Sequence, residues 1–494
     1  MAFKHGVYKQ EVPTGIVPPA PSEAGLPVII GTAPVFLGTS QDALSNVNKP
    51  QLVYSYSEAV QLFGFSKDWE NYTLCEFIYS QFALFAMSPC VLINVFDPAK
   101  HCESVTGASV EISGAEMNLG ANVLMNNFAA SLPQEGAETP VKCVLDEDYA
   151  LAYDDSGNLI LSVIADGKLD GKSAVTLSYY KAKPELVTKA DIIGGVSITT
   201  GKEEGLELVN RVFPKFRLVP GLLAAPKWSC DAGVAAVMRA KMDNINGVFT
   251  GQSVIDIPTD ALTGADLYTE VPEWKNRNNY MAERQIVCWP KLKLGDDVFY
   301  LSTQLIGLMN KTDAGNDDVP YETPSNKLLQ MNACVNAAGD EIDLGLDQAN
   351  YLNGQGIVTA LNWIGGWRAW GNRTGCYPTN TDPKDAFIPI RRMFDWIGNE
   401  FILTFWQKVD APMTPRLVKS IVNSYNIRLN GLAARQFILG GRVEFQESEN
   451  ALTDLMNGIL RFHIYITPPP PAEQIVGILE FDPDYFQTLF EAVK

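Results

Sequence analysis

Hydrophobic and polar positions alternate most cleanly toward the carboxy-terminal end of the chain. Arg442-Val-Glu-Phe-Gln446 reads as a strand, with Val443 and Phe445 as its apolar positions. A turn-rich link containing Asn450 and a short apolar helix over 451–455 follow, and then a second strand, Leu460–Thr467, carrying Phe462 and Ile464. Four consecutive prolines, Pro468–Pro471, make a stiff polyproline spacer. Beyond it lies a last extended run, Ala472–Phe481, in which Ile475, Val476, Ile478, Leu479 and Phe481 are apolar. A two-stranded sheet is marginal alone in water and leaves unpaired edges on both sides. Strand, strand, rigid spacer and detached strand therefore describe a chain that completes its sheet with its neighbours, as a polymer subunit does.

Upstream the pattern is that of a layered α/β protein. Residues 1–26 form a proline-punctuated arm around a short alternating strand, Gly6–Val12. Val28-Ile-Ile30 and Val91–Phe96 are buried-type strands. Between them Ser55-x-x-Glu58 is a capping box opening a helix to Phe63, and Asn71 is expected to cap a second helix. From 101 to about 193 the texture changes to short alternating runs separated by Asp-Ser-Gly and Asp-Gly turns, which predicts an inserted all-β domain. Helices at Glu203–Val212 and Asp231–Asp243 alternate with expected strands at Gly247–Phe249, Ser253–Pro258, Gln285–Pro290 and Val298–Leu301. A helix around Ser302–Met309 is next, and Ile357–Ala360 opens a last block with helices at 385–406 and 415–430. The fold class is multidomain α/β (α+β), divided at 1–26, 27–100, 101–195, 196–355, 356–467 and 468–494.

Charge refines this picture. The net charge is −19, from 38 basic and 57 acidic residues. Residues 368–494 hold 13 basic and 14 acidic residues, so 13 − 14 = −1 there and −18 remains for residues 1–367. An acidic front and an arginine-rich, nearly neutral back suggest a solvated exterior and a contacting interior, and arginine is enriched at interfaces. The negative sign disfavours nucleic-acid partners. No stretch reads as a signal peptide or a membrane span, and the eight scattered cysteines read as buried free thiols in a reducing compartment.

Catalytic chemistry is sparse. None of the three histidines (His5, His101, His463) has a nearby nucleophile or a metal-ligand spacing. The glycine-rich stretch before Lys202 has five residues between its glycines and Glu203 where a phosphate loop needs Ser or Thr. Asp313–Asp318 lacks the alternating ligands and distal Glu of a calcium loop. No catalytic residue, cofactor or metal is expected. The aromatic run Trp363–Trp370 reads as a sugar platform or, better, as core packing or a subunit contact.

Several short motifs, in one order across nearly the whole chain, resemble the contractile tail sheath family of phages and tail-like bacteriocins. They are Asn450, Gly458 and Pro470-Pro-Ala-Glu473 with Ile475, preceded by Trp370-Gly-Asn-Arg-Thr374 and Ile388–Phe394. Further upstream stand Val319–Asn326, Ser55–Gly64 and His5-Gly-Val-Tyr8 with Val12. Only about 100–200 is unmatched. The resemblance implies a non-catalytic structural subunit that polymerises as hexameric rings around an inner tail tube protein, with baseplate and tail terminator proteins as further partners. Such a sleeve sits in a virion tail or phage-tail-like particle assembled in the bacterial cytoplasm, with no nucleic-acid contact or membrane insertion. The arms would then be subunit contacts, through His5, Val7, Tyr8 and Val12 at one end and Ile475, Val476, Ile478, Leu479 and Phe481 at the other. Arg442, Val443, Phe445, Phe462 and Ile464 would be acceptor-strand positions, and Arg391 and Arg392 are expected to face the tube. A multidomain enzyme, carbohydrate-active or otherwise, and a static shell or fibre protein are the alternatives.

Overall fold

A computed structural model describes residues 20–21, 24–133, 140–198 and 201–491. The expected amino-terminal interface positions His5, Val7, Tyr8 and Val12 lie outside the described residues.

Eight strands form the main sheet: β1 (Pro27–Gly31), β2 (Gln51–Val53), β3 (Cys90–Asn94), β4 (Leu222–Ala224), β5 (Gln252–Asp256), β6 (Gln285–Cys288), β7 (Ile357–Trp363) and β8 (Gly366–Trp370). Their order is β8-β7-β6-β5-β4-β1-β3-β2. The six inner strands run parallel, and β2 and β8 close the two edges antiparallel. Every residue of β1, β3, β5 and β6 is buried, because helices cover both faces of a parallel sheet and its strands read as continuous apolar runs. The segment 357–370, expected within the carboxy-terminal block, instead completes this sheet as a hairpin.

Local chemistry sets the flanking elements. The helix Tyr56–Phe63 opens on half of the expected box: the Ser55 hydroxyl accepts from the Glu58 N–H (3.2 Å), but the Glu58 carboxylate accepts from the Tyr54 N–H (2.8 Å) instead of the Ser55 N–H. Asn71 does not cap; its side chain bonds Asp68, and the next helix starts at Thr73 and widens into a π turn over 79–84. The expected strand 247–249 is a turn, and the strand proper begins at Gln252. Helix α1 (Leu301–Ala314) is buried along most of its length. Its free amino-terminal N–H groups meet two carboxyls: Ser302 N–H donates to Asp256 Oδ1 (3.0 Å) and Tyr300 N–H to Glu76 Oε1 (2.7 Å). Burial pushes Glu76 up to about 8 and Asp256 up to about 6.

Between His101 and Lys183 the chain builds two further sheets. One has four strands (Cys102–Glu111, Ala174–Ala182, Ala129–Leu132 and Val141–Lys142, in that spatial order). The other has three (Tyr149–Tyr153, Asn158–Val163 and Glu116–Ala121). Met117, Tyr149, Leu161, Val175 and Leu177 form a core of their own. The segment leaves and rejoins the body at one place, where Lys183 N–H donates to the His101 carbonyl (2.9 Å). It touches the body through Tyr153 against Phe36 and Asn122 bonded to the Tyr72 hydroxyl.

A third core lies at the other end. Helices α2 (Ile388–Phe405) and α3 (Pro415–Ala434) pack Met393, Ile397, Tyr425, Leu429 and Leu432 against Val443 of β9 (Gly440–Glu444), which pairs antiparallel with β10 (His463–Thr467). The main core does not include these residues.

Candidate assembly interface

β9 and β10 run in register from Gly440 opposite Thr467 to Glu444 opposite His463. Val443 is buried against the helices, and Ile464 and Ile466 of β10, with Phe462 just before it, line the same core. Phe445 and Phe462 lie just beyond the ladder and pack ring to ring (5.4 Å between centroids). Arg442 turns to the opposite face, its guanidinium over the Tyr465 ring (3.9 Å) and paired with Glu444 (2.6 Å). The link between the strands is tied by buried Asn450, whose amide donates to the Gln446 and Arg461 carbonyls and whose oxygen accepts from the Arg461 N–H. That accounts for an asparagine in a link of this kind. It spans the open end of a two-stranded ladder.

Among the described residues after β10 there is no further strand. Residues 468–482 have no ladder, and Ile475 and Leu479 are 89% and 98% exposed, with Val476, Ile478 and Phe481 also in solvent. The extended run expected at 472–481 is present as backbone without a partner, since a strand needs a ladder and this chain offers none there. The spacer is not free along its length. Arg373 grips Glu473 with two hydrogen bonds (Nε–Oε1 3.0 Å, Nη2–Oε2 2.5 Å) while its guanidinium lies over Phe387 (3.7 Å) and Tyr377 (4.5 Å). A short turn and helix over 483–491, absent from the sequence reading, ends the described chain.

The two arginines expected to face outward are turned inward. Arg392 is 5% exposed and makes a bidentate pair with fully buried Asp313 of α1. Arg391 is 8% exposed and bonds Asp385 (3.1 Å) and Asp395 (3.0 Å). Asp395 also accepts from Arg284 and Thr250, which stand just ahead of the inner strands β6 and β5. These groups bolt α2 to the α/β body, so neither guanidinium reaches a surface. The nearest acidic partner, Asp313, comes from the Asp/Asn-rich stretch that reads as a plain loop in sequence.

Among the described residues, no three His, Cys, Asp or Glu side chains come together in a way that would hold a metal ion, and no helix is long and apolar enough to cross a membrane. The eight cysteines are unpaired. The Trp363–Trp370 run forms the β7–β8 hairpin, with Trp363 half in solvent at its tip and Ala369 in the core.

No family model matches the chain. It is 27% identical to the tail sheath protein of Burkholderia phage BcepMu over 99% of its own length and 98% of the relative's. The chain is thus similar to a tail sheath protein from end to end. A prophage major tail sheath protein of Pseudomonas aeruginosa is 23% identical over 75% of this chain and 93% of its own. The sheath fold is shared with solved injection-system structures: a chain of the anti-feeding prophage baseplate (TM-score 0.57, 15% identity, 98% and 100% of the two chains) and one of the PVC sheath complex in its contracted state (TM-score 0.55, 14% identity, 99% of both). The family's Trp-Gly-x-Arg-Thr and Pro-Pro-Ala-Glu motifs, far apart in this sequence, meet in the Arg373–Glu473 pair.

Proposed function

We infer that this chain is the structural subunit of a contractile tail sheath, stacked as hexameric rings around an inner tube and shortening to drive that tube through a target envelope. The observation that carries the reading is an exposed, unladdered apolar run held out from the body, on a chain that matches a sheath protein end to end. Main-chain hydrogen bonding of an arm to a neighbour's β9–β10 sheet links subunits without binding their globular bodies to each other. Such links can persist while the bodies repack as rigid units and bury more surface. From Thr467 to Lys494 the chain can span at most roughly 90 Å, enough to reach a neighbour. The role is mechanical and involves no turnover. The sleeve belongs to a virion tail or a phage-tail-like particle assembled in the bacterial cytoplasm, with tube, baseplate and terminator proteins as partners.

The test is assembly. Purified chain, alone or with its tube protein, is expected to form tubular sleeves in negative stain. A chain ended after Pro471 is expected to remain folded and to form none. Normal sleeves from the shortened chain would refute the arm's role, and failure of the full chain to polymerise with its tube would refute the sheath role.

A further inference from the structure

Between helix α2 and the amino-terminal ends of β4 and β5 lies a cavity of about 230 Å³, lined from α2 by Asp395, Trp396 and Glu400 and from β5 by Gln252. Its polar groups are bonded on one side only. Asp395 is 5% exposed, and its Oδ1 accepts from Arg284 Nε, Arg391 Nη2 and Thr250 Oγ1 (each 3.0 Å). Its buried Oδ2 meets no partner among the described residues. Glu400 repeats the pattern: Oε1 accepts from Arg428 Nε (2.7 Å), and buried Oε2 meets no partner among the same residues. Gln252 is 1% exposed, and its backbone N–H donates to the Gly221 carbonyl (2.9 Å). Neither atom of its side-chain amide is bonded among the described residues. Buried polar groups in native folds are nearly always served by some partner, so three such side chains around one cavity call for an explanation.

An ionised carboxylate only accepts, whereas an amide both accepts and donates. Asp395 Oδ2, Glu400 Oε2 and Gln252 Oε1 together call for donors, and only the Gln252 amide N–H calls for an acceptor. That excess selects a group rich in N–H. Charge agrees, since the lining holds Asp318, Asp395 and Glu400 against Arg217 and Arg392, and Arg392 is already committed to Asp313. We propose that this cavity is a binding site for a guanidinium or polyamine cation, held between Asp395 and Glu400 of α2 and Gln252 of β5. Trp396, whose ring already carries Arg428 (5.5 Å), stands in the same wall, and an indole face is a good partner for a cation. Leu218 and Val219 add apolar lining for a methylene stem. The volume lies below the range of drug-sized pockets, about 300–1,000 Å³, and suits one long basic side chain or a small amine. The cation can come free from solution or on a side chain of a second copy, with the same chemistry. Filling the site ties α2, and with it the terminal core, to the main sheet, whatever the chain's role in a sleeve.

Calorimetric titration of the purified full chain with agmatine, a guanidinium at one end and an ammonium at the other, tests this. One saturable site is expected, with a melting temperature that rises with agmatine concentration. Gln252→Leu and Glu400→Gln are each expected to weaken binding about tenfold or more, since each removes hydrogen bonding to a charged group. Glu103→Gln, on the β insertion, should leave it unchanged. Absence of saturable binding would mean a cavity that holds water only and would overturn the proposal. Binding that both cavity variants leave intact would put agmatine elsewhere and overturn it as well. If neither variant folds, a structure of the unaltered chain with agmatine decides: agmatine on Gln252 and Glu400 carries the proposal, and ordered water alone overturns it. Sleeves separate the two sources. Uptake by free chain and sleeve alike assigns the site to a free cation, and uptake by the free chain alone assigns it to a basic side chain of a neighbouring copy.

Discussion

Arg373 and Glu473 stand a hundred residues apart and form a two-point ion pair, with the arginine held between the Phe387 and Tyr377 rings. The pair shortens the free arm. It leaves the body at Gln474, beyond the prolines, and its starting direction is fixed by a side chain of the α/β body.

Breaking this clasp is expected to harm assembly more than folding. Both side chains are partly exposed, and pairs of that kind contribute about 1 kcal/mol or less to stability. Glu473→Gln should therefore leave the melting temperature within a few degrees of the parent while lowering the yield of sleeves, read by sedimentation. Equal sleeve yield would show that the arm's direction does not matter.

Arg392 should behave in the opposite way. Its partner Asp313 is fully buried, and removing the arginine leaves a carboxyl that burial already pushes up, with its opposing cation gone. Arg392→Met is expected to cost about 3–5 kcal/mol, seen as a large fall in melting temperature, and Arg392→Met with Asp313→Leu should recover much of it. A single variant as stable as the parent would contradict the buried pair.

The two carboxyls at the head of α1 predict a pH dependence. Glu76 and Asp256 have folded values of about 8 and about 6, above their ordinary 4.5 and 3.8. A raised acid favours folding in its protonated form. Its contribution is therefore complete below the ordinary value and lost as pH rises through the folded one, so these groups add stability on acidification from pH 8 toward 4. For Glu76 the change between pH 7 and 4.5 is about 3 kcal/mol at 1.36 kcal/mol per pH unit. Glu76→Gln keeps an acceptor for Tyr300 N–H and should flatten the melting temperature against pH. An unchanged slope would exclude Glu76 as its source.

Excision of the β insertion is set by the His101–Lys183 hydrogen bond, which holds its two ends together. Replacing residues 102–182 by a short Gly/Ser bridge is expected to give a folded chain that still assembles. Its melting temperature should fall by several degrees, because Phe36 and Tyr72 lose their cover from Tyr153 and Asn122. Aggregation of the shortened chain would show the insertion to be part of a shared core.

Much of the architecture was legible because it rests on local pattern. Val28–Ile30, Val91–Ile93 and Val254–Ile255 are apolar runs of strand length, as strands covered on both faces must be. The arm was legible because proline and a period of two are strong signals. The features that failed depend on distant partners. Arginine density around Arg391 and Arg392 gives no hint of Asp313, 79 residues upstream. The β7–β8 hairpin was hidden by its tryptophans, which read as core packing or a subunit contact rather than as a sheet edge. The bonding of the Val443 backbone by the side-chain amide of Asn426, on α3, follows from no spacing rule.

If the exposed arm of one copy joins the sheet of another, the bond also has a direction. A donor arm and an acceptor edge on different parts of the same molecule make a head-to-tail bond, which yields open, polar filaments instead of closed pairs. A sleeve grown in that way would have unlike ends, one presenting unfilled sheet edges and the other loose apolar arms. Each end then needs its own stopper, one that supplies a strand and one that shelters arms. The length of the sleeve is set where those two are placed, because the subunit repeat itself contains no stop.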